Sequence, residues 1–315
     1  MIQFNVDLSK FSKKTFSIGG ITVYVYNSDA IAAYVKGLGP NPDLDSIQLN
    51  FLYLVHHRSG DYTYTEATGV KILENYASEI PLIPVTFDIR NHGARTVDKS
   101  KNSSWKSGND THAMDMMSCI EGTIYDLKLI MDYLPSYLNL DALLHESWKE
   151  RDLKFKFCNI LSGYSVGAHV VIRFANRYAD LVSIINPNIG CSDLTSLLVN
   201  RLKGTSDYSK KLLYFNYEEL GLTEEQKQKY PESLHLHVSR EDIEIMESFP
   251  FRSVKMFATF YSDDPIVPSK ISTLWADTYA NSNGSTELYY EEGAIHDITE
   301  EMVLQFVKWL SKQLS

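Results

Sequence analysis

The chain has 315 residues, of which 44% are hydrophobic and 22% charged, and its formal net charge is −10 at pH 7. This composition supplies enough apolar side chains for a large core and excludes a chain that is disordered throughout. The acidic balance argues against nucleic acid as a partner, and no apolar stretch is long enough for a membrane-spanning helix.

Strand-like apolar segments alternate with segments of helical period along most of the chain. Residues 2–8 alternate apolar and polar side chains, which predicts a first strand rather than a signal peptide. Further strands are predicted at 15–26, 47–56, 82–89, 154–163, 181–187, 254–261 and 286–291, and helices at 65–79, 113–134, 166–178, 270–281 and 299–314. This alternation is typical of a mostly parallel sheet with helices on both faces. Because the first two strands follow each other directly, we expect them to form an antiparallel edge.

Two stretches interrupt the alternation. Residues 94–112 form a polar segment that is long for a compact domain, which favours a functional or mobile loop. Residues 191–252 separate two predicted strands and contain helix-like runs such as TEEQKQKY and EDIEIMESF. We therefore predict a helical cap at 191–252, inserted into a core domain made of 1–190 and 253–315.

A Gly-x-Ser-x-Gly motif at 163–167 joins a predicted strand to a predicted helix. A serine hydroxyl acts as a nucleophile only when it stands clear of the sheet beside a base, and a strained strand-to-helix turn between glycines provides that position. The amide of Val166 begins the helix and can donate to an oxyanion. We predict that Ser165 is the nucleophile. The alternative, a glycine-rich turn with a buried serine, is disfavoured by the position between strand and helix.

The base and the acid are expected later in the chain. If the order is nucleophile, acid, base, then His296 is the base, because it lies between the last predicted strand and the final helix. The acid should follow the preceding strand, where Asp263 and Asp264 stand before Pro-Ile-Val-Pro. We choose Asp264, with Asp263 as the near alternative. In this arrangement Asp264 orients His296, which accepts the serine proton.

Four features in this order resemble the α/β-hydrolase-fold serine hydrolases over nearly the whole chain. They are a His-containing loop after the third strand, Asp-x-Arg-x-x-Gly at 88–93 after the fourth, Gly-x-Ser-x-Gly after the fifth, and the late Asp and His. The resemblance implies an α/β-hydrolase sheet with helices on both faces. It also implies hydrolysis of a carboxylic ester, thioester or amide of a small molecule through an acyl-enzyme on Ser165.

The resemblance further implies that the loop at 54–60 lends a backbone N–H to the oxyanion hole. By position Arg58 is the donor. His57 stands where glycine is usual in the superfamily, so His57 is the alternative donor. It is also a candidate substrate-binding residue.

The segment 87–95, with its Arg-Asn-His-Gly wording, and the later GNDTHAMDM at 108–116 resemble a group of fungal α/β-hydrolases. For Asp88 and Arg90 we favour a structural turn with an internal ion pair. His92 and Arg95 are candidates to bind a substrate carboxylate, although a position behind the site or at the surface is favoured for both.

The sequence predicts neither a metal site nor a cofactor. His56-His57 and His235-x-His237 lack further ligands at familiar spacing. The cysteines have no CxxC spacing, which indicates reduced thiols in a cytoplasmic protein; they are Cys119, Cys158 and Cys191.

Two other classes of function stay open. An acyltransferase or a lyase would use the same three side chains without hydrolysis. A non-catalytic ligand-binding protein of the same ancestry would have no need to retain all three together. The expected partner of the enzyme is a small-molecule acyl substrate.

Overall fold

A computed structural model describes residues 4–40, 42, 44–293 and 295–314. The eight strands of the sheet are β1 Lys13–Ile18, β2 Ile21–Tyr26, β3 Ser46–Val55, β4 Leu82–Phe87, β5 Lys154–Tyr164, β6 Ile184–Asn188, β7 Lys255–Tyr261 and β8 Glu287–Glu291. The α-helices in the described residues are α1 Asp29–Gly37, α2 Tyr62–Asn75, α3 His112–Tyr137, α4 Glu146–Glu150, α5 Val166–Arg177, α6 Leu194–Lys203, α7 Glu224–Lys229, α8 Glu232–Ser248, α9 Thr273–Ser282 and α10 Glu300–Gln313. None of these helices combines the length and the apolarity that crossing a bilayer requires.

The strands form one sheet in the order β1-β2-β4-β3-β5-β6-β7-β8. The β1–β2 and β2–β4 pairs are antiparallel, and every pair from β4 to β8 is parallel. A mostly parallel sheet is therefore confirmed. In such a sheet the loops that carry functional side chains gather at the carboxyl ends of the strands.

The central strand β3 shows how the two faces of the sheet are covered. Phe51 and Tyr53 belong to the apolar cluster that contains α3 and α5. Leu52 and Leu54 belong to a second cluster, which contains α2 and α10. Because successive strand residues point to opposite faces, the helices lie on both faces, as predicted.

The beginning of the chain differs from the prediction. Residues 2 and 3 lie outside the described part, residues 4–7 have no regular structure, and Leu8–Lys10 form a 3-10 helix rather than a strand. The antiparallel edge is instead a hairpin made of β1 and β2. Gly19 and Gly20, with φ of 57° and 81°, turn the chain inside the single strand predicted at 15–26. Glycine adopts such positive φ values without steric strain, and the apolar pattern around it does not reveal the break.

Residues 94–112 fold into short 3-10 turns held by side-chain hydrogen bonds. The Asn91 side chain accepts from the amides of Val97 and Asp98, both at 2.9 Å. The amide group of Asn109 donates to the carbonyl oxygens of Lys101 and Ser103. Asparagine side chains thus replace the ladder or helix bonds that this polar backbone lacks.

Residues 191–252 contain α6, α7 and α8, and their apolar side chains join the same buried cluster as α5. A buried ion pair also connects this segment to the core. Arg173 of α5 is fully buried and donates to Glu241 at 2.9 Å and to Asp242, both on α8. The segment is therefore helical and tightly attached, and its role as a cap stays a prediction.

Candidate active site

Ser165 occupies a strained turn between β5 and α5. Its backbone has φ of 52° and ψ of −108°, a left-handed region that is unfavourable for residues with a Cβ. The Ser165 amide donates to the carbonyl oxygen of Asn188 at 3.0 Å, which fixes the turn to the end of β6. The surrounding structure thus holds this serine at the carboxyl edge of the sheet.

The glycines of the motif allow the chains to cross closely at this turn. A Cβ on Gly163 would lie 2.1 Å from the carbonyl oxygen of Gly167, and a Cβ on Gly167 would lie 2.0 Å from the carbonyl oxygen of Val55. Real Cβ atoms do not approach other atoms that closely, so α5 can meet β3 and β5 here only through glycine.

The side chains of Ser165, His296 and Asp264 form a continuous hydrogen-bonded chain. Nε2 of His296 lies 2.8 Å from Oγ of Ser165, and Nδ1 lies 2.7 Å from Oδ2 of Asp264. A carboxylate oxygen only accepts, so Nδ1 carries the ring proton and Nε2 is left to accept the serine proton. This arrangement can remove a proton from the hydroxyl.

Asp264 follows β7 and is almost fully buried. Its Oδ1 accepts from the amides of Ile266 at 2.7 Å and Val267 at 2.8 Å, which leaves Oδ2 for His296. The neighbouring Asp263 is exposed, and its side chain accepts from the Ser262 hydroxyl at 3.2 Å. Of the two aspartates considered from the sequence, Asp264 is the one that contacts His296.

Ser165 and His296 open into a cleft of about 340 Å³. The rings of Tyr64 and Tyr164 meet edge to face with their centroids 5.5 Å apart. The cleft is lined by both aromatic and polar side chains. The lining residues are His57, Arg58, Ser59, Tyr64, Tyr164, Ser165, Ile189, Ile266, His296 and Asp297.

Of the residues predicted to form the oxyanion hole, two line this cleft and the third directly follows Ser165 in the chain. Val166 is the first residue of α5, and Arg58 and His57 line the cleft. Nδ1 of His57 donates to the carbonyl oxygen of Arg58 at 2.7 Å. Its Nε2 is buried against Gly60 and has no hydrogen-bond partner in the described part of the chain. Burial lowers the pKa of His57.

His92 and Arg95, the candidates for binding a substrate carboxylate, do not line the cleft that holds Ser165. His92 is buried, and its Nδ1 donates to the carbonyl oxygen of Arg90 at 2.8 Å. Arg95 donates to Asp126 at 2.8 Å and to the carbonyl oxygen of Asp88 at 3.0 Å. The partners of Arg95 are therefore the Asp126 carboxylate and a backbone carbonyl oxygen, and a role of His92 and Arg95 in binding a substrate carboxylate stays a prediction.

The ion pair expected between Asp88 and Arg90 is also absent from the described residues. Arg90 instead forms two hydrogen bonds to Asp126 of α3, at 3.0 and 2.9 Å. Asp88 accepts from the amides of Tyr62 and Ala94, both at 2.8 Å. The turn is structural, but each of its charged side chains finds a partner elsewhere.

Three of the four histidines in the two sequence pairs are hydrogen-bonded to the backbone. Nδ1 of His56 donates to the carbonyl oxygen of His57, while its Nε2 accepts from the amide of Ile89. Nε2 of His235 lies 2.8 Å from the carbonyl oxygen of Phe215. Across the residues that the structure describes, no three His, Cys, Asp or Glu side chains are placed to hold a metal ion.

A second cleft, of about 380 Å³, adjoins the first and shares Arg58 and Ile266 with it. Sequence reasoning missed Arg201, which lines this second cleft together with Trp105 and Tyr208. No local motif marks them, because they come from a helix and two loops that meet only in the folded chain.

The sequence matches no protein-family model, and no curated protein is significantly similar to it. Solved structures are similar over nearly its whole length. TT1662 from Thermus thermophilus is 14% identical with a TM-score of 0.55, covering 97% of this chain and 99% of that chain. Est1E from Butyrivibrio proteoclasticus, solved with bound ferulic acid, is 13% identical with a TM-score of 0.53, covering 96% and 98%. The esterase Pf2001 from Pyrococcus furiosus is 15% identical with a TM-score of 0.53, covering 98% and 95%.

Identities this low speak to the fold alone. None of these comparisons bears on the narrower resemblance to fungal enzymes, which stays a hypothesis. The order and direction of the strands, the position of the Ser165 turn and the whole-chain match to these solved structures lead to one conclusion: the chain has the α/β-hydrolase fold.

Proposed function

We propose that the protein is a serine hydrolase that cleaves a carboxylic ester, thioester or amide of a small molecule through an acyl-enzyme on Ser165. The observation that carries this proposal is the hydrogen-bonded chain from Ser165 through His296 to Asp264, which opens into a cleft. The similarity in fold to an esterase supports it.

In this mechanism Oγ of Ser165 attacks the substrate carbonyl carbon while Nε2 of His296 takes the hydroxyl proton. Asp264 stabilises the imidazolium that forms. The resulting tetrahedral oxyanion accepts hydrogen bonds from the Val166 amide and from the amide of either Arg58 or His57. Each such donor typically lowers the barrier by about 3–4 kcal/mol.

The intermediate then collapses, and His296 returns its proton to the leaving oxygen, sulfur or nitrogen. The acyl group stays bonded to Oγ of Ser165. A water molecule, deprotonated in turn by His296, attacks the acyl carbon. The bond from that carbon to Oγ of Ser165 then breaks, His296 returns the proton to Oγ, and the carboxylic acid leaves. Both halves of the reaction use the same base, in agreement with its position between the hydroxyl and the buried carboxylate.

A fluorophosphonate probe tests the nucleophile directly. We expect the probe to label the wild type and the control Ser118→Ala, an exposed serine on α3, but not Ser165→Ala. The kcat/KM for a 4-nitrophenyl ester should fall by about 10⁴-fold or more in Ser165→Ala. Equal labelling of the wild type and Ser165→Ala would remove Ser165 from the nucleophile role.

A further inference from the structure

Arg58 and Arg201 line the second cleft beside the catalytic one. Arg58 lies in the loop after β3 and also lines the catalytic cleft, while Arg201 lies in the last turn of α6. Within the described residues, neither guanidinium has an Asp or Glu oxygen at ion-pair distance. Nη1 of Arg58 lies 3.2 Å from Nδ1 of His112, and Arg201 donates to the carbonyl oxygen of Ile266 at 2.5 Å.

The shielded arginines elsewhere in the described chain have carboxylate partners. Arg95 pairs with Asp126, while Arg173 and Arg177 both pair with Glu241. A chain with ten more acidic than basic side chains therefore leaves two guanidiniums unpaired at one place. That place adjoins the cleft that contains Ser165.

Two guanidiniums in a shielded cleft are unfavourable without an anion. Burial lowers the pKa of Arg58, and the nearby charge of Arg201 lowers it further. Burial also lowers the pKa of Arg201. Exposed Lys106 adds a third cation, and no Asp or Glu is among the described residues that line this cleft. Because shielded charges in proteins are normally paired, the cleft is electrostatically complementary to a negatively charged ligand.

The backbone connects Arg201 to the proposed catalytic acid. The carbonyl oxygen of Ile266 accepts from Arg201, and the amide of Ile266 donates to Asp264. Ile266 also lines both clefts. This bond uses one of the five N–H donors of the Arg201 guanidinium, so the planar edge of that group can still bind a carboxylate.

We propose that Arg58 and Arg201 bind a carboxylate of the substrate, so that the acyl compound cleaved at Ser165 is an anionic one. The proposal rests on the proposed hydrolase function and names the substrate class. The carboxylate lies in the second cleft, beside the rings of Trp105 and Tyr208, and the scissile carbonyl lies at Ser165. A short spacer joins the two groups across the boundary at Arg58 and Ile266.

A matched pair of esters tests this substrate class. Mono(4-nitrophenyl) glutarate carries a free carboxylate, and its methyl ester has the same skeleton without the charge. We expect the wild type to have a kcat/KM at least about tenfold higher for the acid, as charge-assisted hydrogen bonds imply. Arg58→Gln and Arg201→Gln should each reduce the acid-to-methyl-ester ratio by about tenfold, and Arg201→Lys should reduce it less. The exposed control Arg252→Gln should keep the wild-type ratio.

Binding of the same two esters to Ser165→Ala, measured by calorimetry, does not depend on turnover. The anion site is supported if Ser165→Ala binds the acid more tightly than the methyl ester and if Arg58→Gln or Arg201→Gln removes this difference. If that binding is seen but no ester is hydrolysed by the wild type, only the proposed hydrolase function fails. If the wild type hydrolyses the methyl ester and reacts with the fluorophosphonate but shows no preference for the acid in rate or binding, the carboxylate site is wrong and the hydrolase function stands. If arginine-dependent binding and hydrolysis are both absent, both proposals fail. Thermal melting of each variant verifies that it is folded.

Discussion

At the scale of single residues, the position of Asp264 depends on two backbone amides and one imidazole. The amides of Ile266 and Val267 hold Oδ1, so the carboxylate cannot rotate without losing both bonds. The remaining oxygen receives the Nδ1–H of His296. This hydrogen bond selects the tautomer with the proton on Nδ1, which leaves Nε2 unprotonated and facing Ser165. Only an unprotonated Nε2 can act as a base toward the serine hydroxyl.

Asp264→Asn should therefore preserve the fold and greatly reduce activity. The asparagine oxygen can accept from the two amides, but its NH₂ group then faces Nδ1 of His296 and favours the wrong tautomer. We expect kcat to fall by about 10⁴-fold, measured with a 4-nitrophenyl ester at pH 7.5. The circular dichroism spectrum should match that of the wild type.

Asp263→Asn is the matched control, since Asp263 is adjacent in sequence but exposed. Its kcat should stay within about twofold of the wild type, as is usual for exposed substitutions away from a site. A large loss of kcat in Asp263→Asn, with little loss in Asp264→Asn, would show that Asp263 and not Asp264 is the acid.

At the scale of elements, close contact between α5 and β3 depends on the absence of a side chain. The carbonyl oxygen of Val55, at the end of β3, occupies the space where a Cβ of Gly167 would lie. The same contact places the first turn of α5 beside the loop that contains Arg58. The geometry of the candidate oxyanion donors is thus a consequence of how a helix packs on a strand.

Gly167→Ala should destabilise the protein, because the new Cβ would lie 2.0 Å from the carbonyl oxygen of Val55. The helix must then move away from the sheet. We expect the free energy of unfolding to decrease by about 1–3 kcal/mol or more, the usual range for overpacking. Urea-induced unfolding followed by fluorescence measures this change.

Gly37→Ala provides the comparison. Gly37 is the last residue of α1, and a Cβ there would meet no atom within 4 Å. Since alanine favours a helix over glycine, the stability should stay unchanged or rise by up to about 1 kcal/mol. Equal destabilisation by both substitutions would contradict the close-contact explanation.

At the scale of the whole molecule, several histidines are buried. Burial is the main reason that the pKa falls to about 3 for His56 and to about 4 for His112, where the charge of Arg58 also lowers it. Burial likewise lowers the pKa of His169 well below its ordinary value. These rings stay neutral in the folded state at pH values where the unfolded chain binds protons.

This difference determines the direction of the pH dependence. Above about pH 6.5 these histidines are neutral in both states and contribute nothing to it. As the pH falls below that value, the unfolded chain binds protons that the folded chain does not bind. The stability therefore declines until the pH reaches the pKa of each histidine in the folded state. Each such histidine should contribute about 1.4 kcal/mol per pH unit to this decline.

Urea unfolding of the wild type between pH 7.5 and 4.5 should therefore show falling stability, and His112→Asn should show a shallower fall. Asparagine can keep the donor that Nδ1 supplies to the carbonyl oxygen of Ser103, yet it does not titrate. The control His145→Asn changes an exposed ring and should keep the wild-type slope. If the slopes of His112→Asn and the wild type coincide, the buried neutral state of His112 is not the cause.

Local patterns were sufficient to predict most of the sheet and its surrounding helices. Apolar segments that alternate with segments of helical period marked the strands from β3 to β8. Each of these strands must bury its apolar side chains, whichever strands lie next to it. The pattern did not reveal the hairpin at Gly19 and Gly20. A turn of two glycines within residues 15–26 does not disturb the pattern of apolar and polar side chains on either side of it.

The sequence by itself determined which residue types stand at the carboxyl ends of the strands: the Gly-x-Ser-x-Gly turn, the late aspartates and His296. Only the tertiary structure decided which of these side chains meet. In the folded chain Asp264, and not Asp263, contacts His296. Arg95 forms its ion pair with Asp126, and Arg58 and Arg201 line one cleft. The physical reason is that strand and helix propensities are local, whereas hydrogen bonds and ion pairs between distant residues depend on how the elements pack.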